Sequence, residues 1–494
     1  MAAALAALLG LTSTAVAAPR VDSGNTAWML IATILIVLMT VPGLALFYGG
    51  LVRSKNVLSV FMQVMVAFCL ITLLWVIYGY SLAFTPGSVT GGLSKLFLAG
   101  VGPASLAATF SKESYIPEYA VVAFQLTFAA ITPAIIIGAF AERMKFSAVL
   151  IFLAIWFTFA YLPMAHMAWF WAGPDAYTLS PDNIDAIRAA VGDSAARDFL
   201  ARLAAAPDAV ARAAVLAEYG QAVSAHDGFL FRHGLLDFAG GTVVEVNSGV
   251  AGLVCALMVG PRVGYGREPM APHNLSLALT GTGLLLVGWL GFNAGSALEA
   301  NGLAAMTLFN TLLAAAAGTL AWSLVEWKTH QHPSFLGAAS GLVAGLVAIT
   351  PACGYVGPMG AIAIGAAAGA ASLWAVVSLK ARFRYDDSLD VFGVHGVSGI
   401  IGTILPGLFA APLLGGVGVT SYLATDASTA PAPYAITSQI VTQAGGVLLA
   451  ALLSALVSYA ALRICQMTVG LRLAESDERE GLDVASHGER AYNG

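Results

Sequence analysis

Charge is scarce in this chain. Asp, Glu, Lys and Arg together make up 10% of its 494 residues, where a soluble domain carries roughly 25%. With 59% of residues hydrophobic and apolar runs of membrane-crossing length recurring from end to end, soluble classes are excluded. The chain reads as an all-α polytopic membrane protein set in a lipid bilayer. Cysteine is scarce too. Cys69, Cys255, Cys353 and Cys465 are the full set, far apart in apolar stretches, so there is no metal spacing and no required disulfide. No nucleophile–base pair, phosphate loop or redox motif occurs. An enzyme, a resident cofactor and a metal are therefore not expected, and no basic run marks a nucleic-acid partner.

What is present is organised as spans. Eleven apolar segments lie near 27–49, 57–81, 119–141, 147–172, 235–259, 274–297, 303–326, 335–350, 358–380, 391–413 and 436–468. An odd number puts the termini on opposite sides. Arg53, Lys55, Arg143, Lys145, Arg262, Arg267, Lys328, Lys380, Arg382 and Arg384 fall on one set of connections, whereas the short opposite ones hold only Arg20, Lys95 and Lys112. By the positive-inside rule the chain is N-out and C-in, in a cell (inner) membrane. The opening "MAAALAALLGLTSTAVAAPR" ends in an Ala15-Val16-Ala17 cleavage pattern without a basic start. Residues 1–17 read as a signal peptide, or else as an unstructured apolar terminus. The membrane domain covers 24–173 and 235–468. Between its parts, 174–234 reads as an extracytoplasmic insertion of short amphipathic helices with Ser180, Asp193 and Asp208 as N-caps, either packed on the rim or serving as a docking module. By composition the polar 469–494 is a cytoplasmic tail.

The two halves repeat. Asp237-x7-Glu245-x2-Ser248-Gly249-x2-Gly252 returns as Asp387-x7-His395-x2-Ser398-Gly399-x2-Gly402, and Gly43-x3-Phe47-x2-Gly50 as Gly288-x3-Phe292-x2-Gly295. Both pairs are five spans apart, so the second half runs inverted: a 5+5 repeat plus a final helix, with a site expected near the midplane. Within one helix, Asp237 and Glu245 would lie roughly 80° and 12 Å apart. Asp237 and Asp387 fall near opposite ends. Glu245 and His395 occupy equivalent positions at mid-depth, where ionisable groups are costly and mark function.

Eight stretches, "PGLALFYGGLVRSKNVLS", "AERMKFSAVLIF", "AHMAWFWAG", "LDFAGGTVVEVNSG", "GWLGFNAGSA", "TPACGYVGP", "DVFGVHGVSGI" and "EREGLDVASHGERAY", resemble the motifs of the Amt/Mep/Rh ammonium transporter superfamily, bacterial Amt branch, in family order. The resemblance runs from residue 24 to the end apart from 174–234. It implies a homotrimer with one pore per subunit. It also implies an outer NH4+ recruitment site at Phe124, Phe128, Trp169 and Ser296, with Asp237 beneath it supporting deprotonation; read for its local role alone, Asp237 is a helix N-cap, which fits the same position. Phe128 and Phe292 match a stacked gate, and Glu245 with His395 match the family's twin-histidine pore pair. The chain departs from that pair by carrying a glutamate first, which leaves either a neutral acid–imidazole or a carboxylate–imidazolium pair.

The implied mechanism is electrogenic: NH4+ is deprotonated outside, NH3 crosses an apolar pore, and the proton follows separately through Glu245 and His395. Methylammonium is the usual analogue. The tail, by the same resemblance, packs on the cytoplasmic face and answers a PII-type signalling protein. Two other readings remain at this level: an ammonium sensor with little flux, and a passive NH3 or CO2 channel of Rh type.

Overall fold

A computed structural model describes residues 21–423 and 430–492; the expected signal peptide lies outside them. In chain order come α1 (Ser23–Leu51), α2 (Ser54–Ala83), α3 (Glu118–Phe140) and α4 (Phe146–Trp169). Three shorter helices follow, α5 (Ile184–Val191), α6 (Asp193–Ala205) and α7 (Ala209–Ser224). Then come α8 (Gly241–Val259), α9 (Leu275–Gly295), α10 (Gly302–His330), α11 (Phe335–Ile349), α12 (Pro358–Phe383), α13 (Phe392–Phe409) and α14 (Ile436–Thr468). Two short tail helices, α15 (Glu475–Glu480) and α16 (Leu482–His487), close the chain. Among the described residues ten helices are long and apolar enough to cross a membrane. The eleventh expected span, α11, has 15 residues, about 22 Å of helix against a hydrocarbon core of about 30 Å. The all-α expectation meets two small exceptions, the ribbons Leu106–Ala108 with Tyr115–Pro117 and Thr420–Ser421 with Ala430–Pro431.

Local chemistry sets the helix ends. Asp22, Asn274, Asn301 and Ser334 each accept a backbone N–H from the first turn of α1, α9, α10 and α11, satisfying donors that a helix start leaves orphaned. Inside α1, Pro42 falls in a wide π-turn, Met39–Leu44, which absorbs the missing N–H and the ring clash without ending the helix. In the insertion, Ser180 and Asp208 cap as expected. Asp193 does not. Gly192, at φ +85°, holds the cap position, and Asp193 opens α6 and pairs with Arg188 and Arg197. The insertion packs its own small core around Ile187, Phe199, Val215 and Tyr219.

Side chains sort as a bilayer demands. Leu30, Ile34, Leu73, Phe309, Leu320 and Leu456 are exposed on the outside of the bundle. Thr40, Gln63, Asn247, Asn310 and Gln443 are buried; the first three bond one turn back within their own helices, whereas Asn310 and Gln443 reach carbonyls of other segments and tie them together. The helices related by the repeat lie against each other. A Cβ on Gly288 of α9 would come within 2.3 Å of Met39 Cβ of α1, and one on Gly50 within 2.5 Å of Ala278 N. These motif glycines are there because two backbones need the same space.

At one end of the bundle four connections are tied together by charge. Glu142 accepts from the Arg53 amide at 2.7 Å and Nε at 2.8 Å and from Arg262 Nη1 at 3.2 Å. Asp386 accepts from the Arg262 amide, Nε and Nη2 at 2.7, 2.9 and 2.8 Å. Buried Arg143 donates to the carbonyls of Ala139, Ala141, Gly260 and Asp386 and to Ser388 Oγ. Burial alone would raise the two carboxyls, but Arg262, with Arg53 at Glu142 and Arg143 at Asp386, holds both below their ordinary values of 4.5 and 3.8. Groups depressed on folding stabilise fully above their unfolded values and stop doing so as pH falls through the folded ones. Melting temperature in detergent is therefore expected to hold above about pH 5 and to fall steadily below about pH 4. Arg262→Ala, which leaves two buried carboxylates short of a partner, should cost about 3–5 kcal/mol.

The tail, as far as residue 492, packs against this same end. Glu478 accepts from the Val263 amide at 2.6 Å and pairs with Arg472 at 2.6 Å. Asp483 accepts from the Ser59 amide at 2.8 Å, and Asn56 Oδ1 from the Leu482 amide at 2.9 Å.

Candidate functional site

The site is built where α8 and α13 cross. Asp237 precedes α8 rather than riding on it, so the expected single helix over 235–259 begins six residues late, at Gly241. Oδ1 accepts from the amides of Gly240 and Gly241 at 2.8 and 2.5 Å; Oδ2 accepts from the Thr242 amide at 2.8 Å and from its hydroxyl. The wrap needs Gly240 at φ +114°, which a side chain would oppose. Asp387 begins α13 with a reduced version of this cap: Oδ2 accepts from the Phe392 amide at 2.7 Å, and Oδ1 has no partner among the described residues. Aspartate and amide are five residues apart in both halves.

Both helices open with a π-turn, Gly241–Val246 and Phe392–Gly396, and the wider turn carries Glu245 and His395 into the centre. The glycines of the motif allow the crossing. A Cβ on Gly249 would stand 2.3 Å from Gly396 Cα, and one on Gly399 would stand 2.8 Å from Glu245 Cβ. The result is a contact between the halves: Glu245 Oε2 lies 2.7 Å from His395 Nδ1. Glu245 is fully buried, and its other oxygen, Oε1, has no partner among the described residues.

Cavities open on both sides of this pair. At the Asp237 end a cavity of about 270 Å³ is lined by Phe128, Trp169, Asp237 and Ser296 among others. At the Arg262 end one of about 400 Å³ is lined by Phe47, Arg262, Lys380, Asp390 and His395. Between them a pocket of only about 10 Å³ is walled by Leu44, Ile131, Ile135, Trp289 and Val343, with His395 at its side. That is room for about one water-sized body, in an apolar sleeve. Phe128, on the wall of the first cavity, stacks on Phe292 at 4.0 Å between centroids and 20° between planes.

Trp169 meets Phe128 edge-on at 5.6 Å and 86°, and its Nε1 donates to the Asp237 carbonyl at 3.0 Å. Ser296 Oγ donates to the Phe292 carbonyl at 2.9 Å, so its proton is committed and its lone pairs can accept from a donor in the cavity. Phe124 is not on this wall. It is fully buried, tilted against Phe128 at 5.0 Å between centroids and 54° between planes, and Gly295 packs against it. Two features escaped the sequence reading. Gln125, on the same wall, has a buried Oε1 without a partner among the described residues; an amide one turn before Phe128 in an apolar run was the available signal. A Lys95–Glu118–Tyr80 group also lines the cavity, and its members are too far apart in sequence to suggest one another.

The Ammonium Transporter Family model matches residues 27–492. An ammonium transporter of Aquifex aeolicus is 40% identical over 474 residues, covering 96% of this chain and 94% of its own, and one of Bacillus subtilis is 40% identical over 473, covering 95% and 98%. Among solved structures, Mep2 of Saccharomyces cerevisiae superposes with a TM-score of 0.72 at 29% identity, covering 92% of this chain and 91% of its own.

Proposed function

The chain belongs to the ammonium transporter family, and from that premise we propose that it takes up ammonium electrogenically, by splitting NH4+ into NH3 and a proton that cross by separate routes. The observation that carries this reading is the Glu245–His395 contact of 2.7 Å beside an apolar pocket of about 10 Å³. Such a pocket admits NH3 and refuses a hydrated cation, since charge at mid-membrane costs about 3 kcal/mol or far more. A titratable pair beside it gives the proton somewhere to go.

The Asp237 end is outer and the Arg262 end cytoplasmic, with eleven spans counting α11, N-out and C-in. The 174–234 insertion lies outside and the tail inside, in a homotrimer. NH4+ enters the outer cavity, where the faces of Trp169 and Phe128 attract it and Ser296 Oγ accepts one N–H. Phe124 backs Phe128 without touching the ion. Asp237 shapes the floor. Its oxygens are committed to three amides and a hydroxyl, so it fixes the backbone and the Trp169 ring and is not itself the proton acceptor. NH3 passes the Phe128–Phe292 stack, and the proton is relayed by the pair. Glu245 Oε2 and His395 Nδ1 share a proton across their 2.7 Å contact. A PII-type protein docks on the cytoplasmic face beside the tail helices; failure of a pull-down under nitrogen-replete conditions would remove it.

Currents on a solid-supported membrane test the whole reading. Pulses of ammonium and methylammonium should give saturable inward currents, and K+ pulses none. Specific binding without current would make the protein a sensor. Flux without charge would make it a passive NH3 or CO2 channel.

A further inference from the structure

The wall of the outer cavity holds a primary ammonium already. Lys95 Nζ contacts Glu118 Oε1 in a salt bridge and stands 5.5 Å from the centroid of the Tyr80 ring. The Tyr80 hydroxyl donates to the same carboxylate oxygen at 2.8 Å, and Phe84 stacks on Tyr80 at 5.7 Å. All four residues line the cavity that also holds Trp169 and Phe128. Glu118 and Phe128 are ten residues apart on α3, about 15 Å along its axis, so the group lies well outward of the recruitment site. A carboxylate beside an aromatic face suits R–NH3+ recognition: charge, an acceptor for N–H, and a quadrupole within about 6 Å. The carboxylate is nearly buried, whereas the Lys95 side chain is one-third exposed at 33%. The cage is fixed and its occupant is a tether with access to solvent. The Lys95 backbone is held separately, its amide donating to Ser81 Oγ at 3.0 Å.

We propose that Glu118 and the Tyr80 ring form an antechamber site for ammonium and small primary alkylammonium cations, which the Lys95 ammonium fills and which an incoming cation must compete with Lys95 to enter. The lysine keeps the mouth electrically neutral and sets a lower apparent affinity than a bare carboxylate would. This rests on the transport reading for its purpose, but not for its test.

The probe is methylammonium, at constant high ionic strength so that fields from distant charges are screened. Binding is read as the half-saturating concentration of the current, and independently as the methylammonium-induced shift in melting of detergent-solubilised protein. Lys95→Ala should lower the half-saturating concentration on the order of two- to five-fold, the size of one exposed cation–aromatic contact. Adding Glu118→Gln should return it to the starting value, and Lys95→Arg should leave it unchanged. An unchanged value in Lys95→Ala overturns the proposal, as does a gain that survives Glu118→Gln. Should alanine not fold, Lys95→Gln carries the same expectation with the stem kept. Melting shifts that follow this pattern with no current in any variant would overturn the transport reading alone.

Discussion

Glu245→Gln is expected to cut the ammonium current of reconstituted protein by about 100-fold, the lower range for losing a positioned proton carrier. The substitution keeps the size and shape of the side chain. The glutamine would still pack beneath Gly399, where an added Cβ would stand 2.8 Å from the Cβ of residue 245, and an amide can still hydrogen-bond His395 Nδ1. What it cannot do is gain and lose a proton. With the relay interrupted, net charge stops moving even though the apolar pocket is unaltered. A shift from ammonium current to K+ leak would carry the same message, because it would mean that the pair had been excluding intact cations. A current of ordinary size would mean that the proton bypasses the pair. Melting temperature measured alongside should stay close to the parent's, which separates a broken relay from a broken fold.

Gly249→Val should have a large structural effect at the site itself, a loss of about 3 kcal/mol, the upper range for overpacking. The first added carbon would stand 2.3 Å from both Gly396 Cα and Gly396 N. The obstacle is backbone from the other half of the chain, so no side chain can turn aside. α8 and α13 must part, and the 2.7 Å contact they deliver parts with them. Gly283→Ala on α9 is the control, since no atom lies within 4 Å of the added methyl. There alanine should be neutral, or stabilising by up to about 1 kcal/mol. The two melting curves side by side distinguish a crossing point from a helix that merely tolerates glycine.

These predictions also mark how far the sequence could be read. The motif Asp-x7-(Glu/His)-x2-Ser-Gly-x2-Gly carried the centre of the site, because its spacing reflects backbone geometry that both halves must obey. Gly249 and Gly399 are the contact itself. The place of Asp237 was legible in part: its N-cap reading stands, since three amides and a hydroxyl converge on it, but the span count still ran the helix from 235, whereas it starts at Gly241. Phe124 shows another limit. A motif says which residue is present, and only packing says that it stands behind Phe128. Lys95 and Glu118 meet across two different elements, and nothing local to either announces the other. The resemblance implied a packed tail, but not its contacts, since Glu478 and Asp483 find their partners, the amides of Val263 and Ser59, far away in the chain.

The knot of Arg53, Glu142, Arg262 and Asp386 bears on how the protein is made. Three of its members are inserted before the fourth exists. More than 200 residues separate Glu142 from Asp386, which at ordinary synthesis speeds is roughly 10–50 s of translation. For the later part of that interval Arg262 sits at the membrane surface without the carboxylate that takes three of its donors. The charge knot at that end of the bundle is therefore completed only when the second half has arrived. Any product truncated before residue 386 lacks that carboxylate and leaves three Arg262 donors without the acceptor they have in the finished fold.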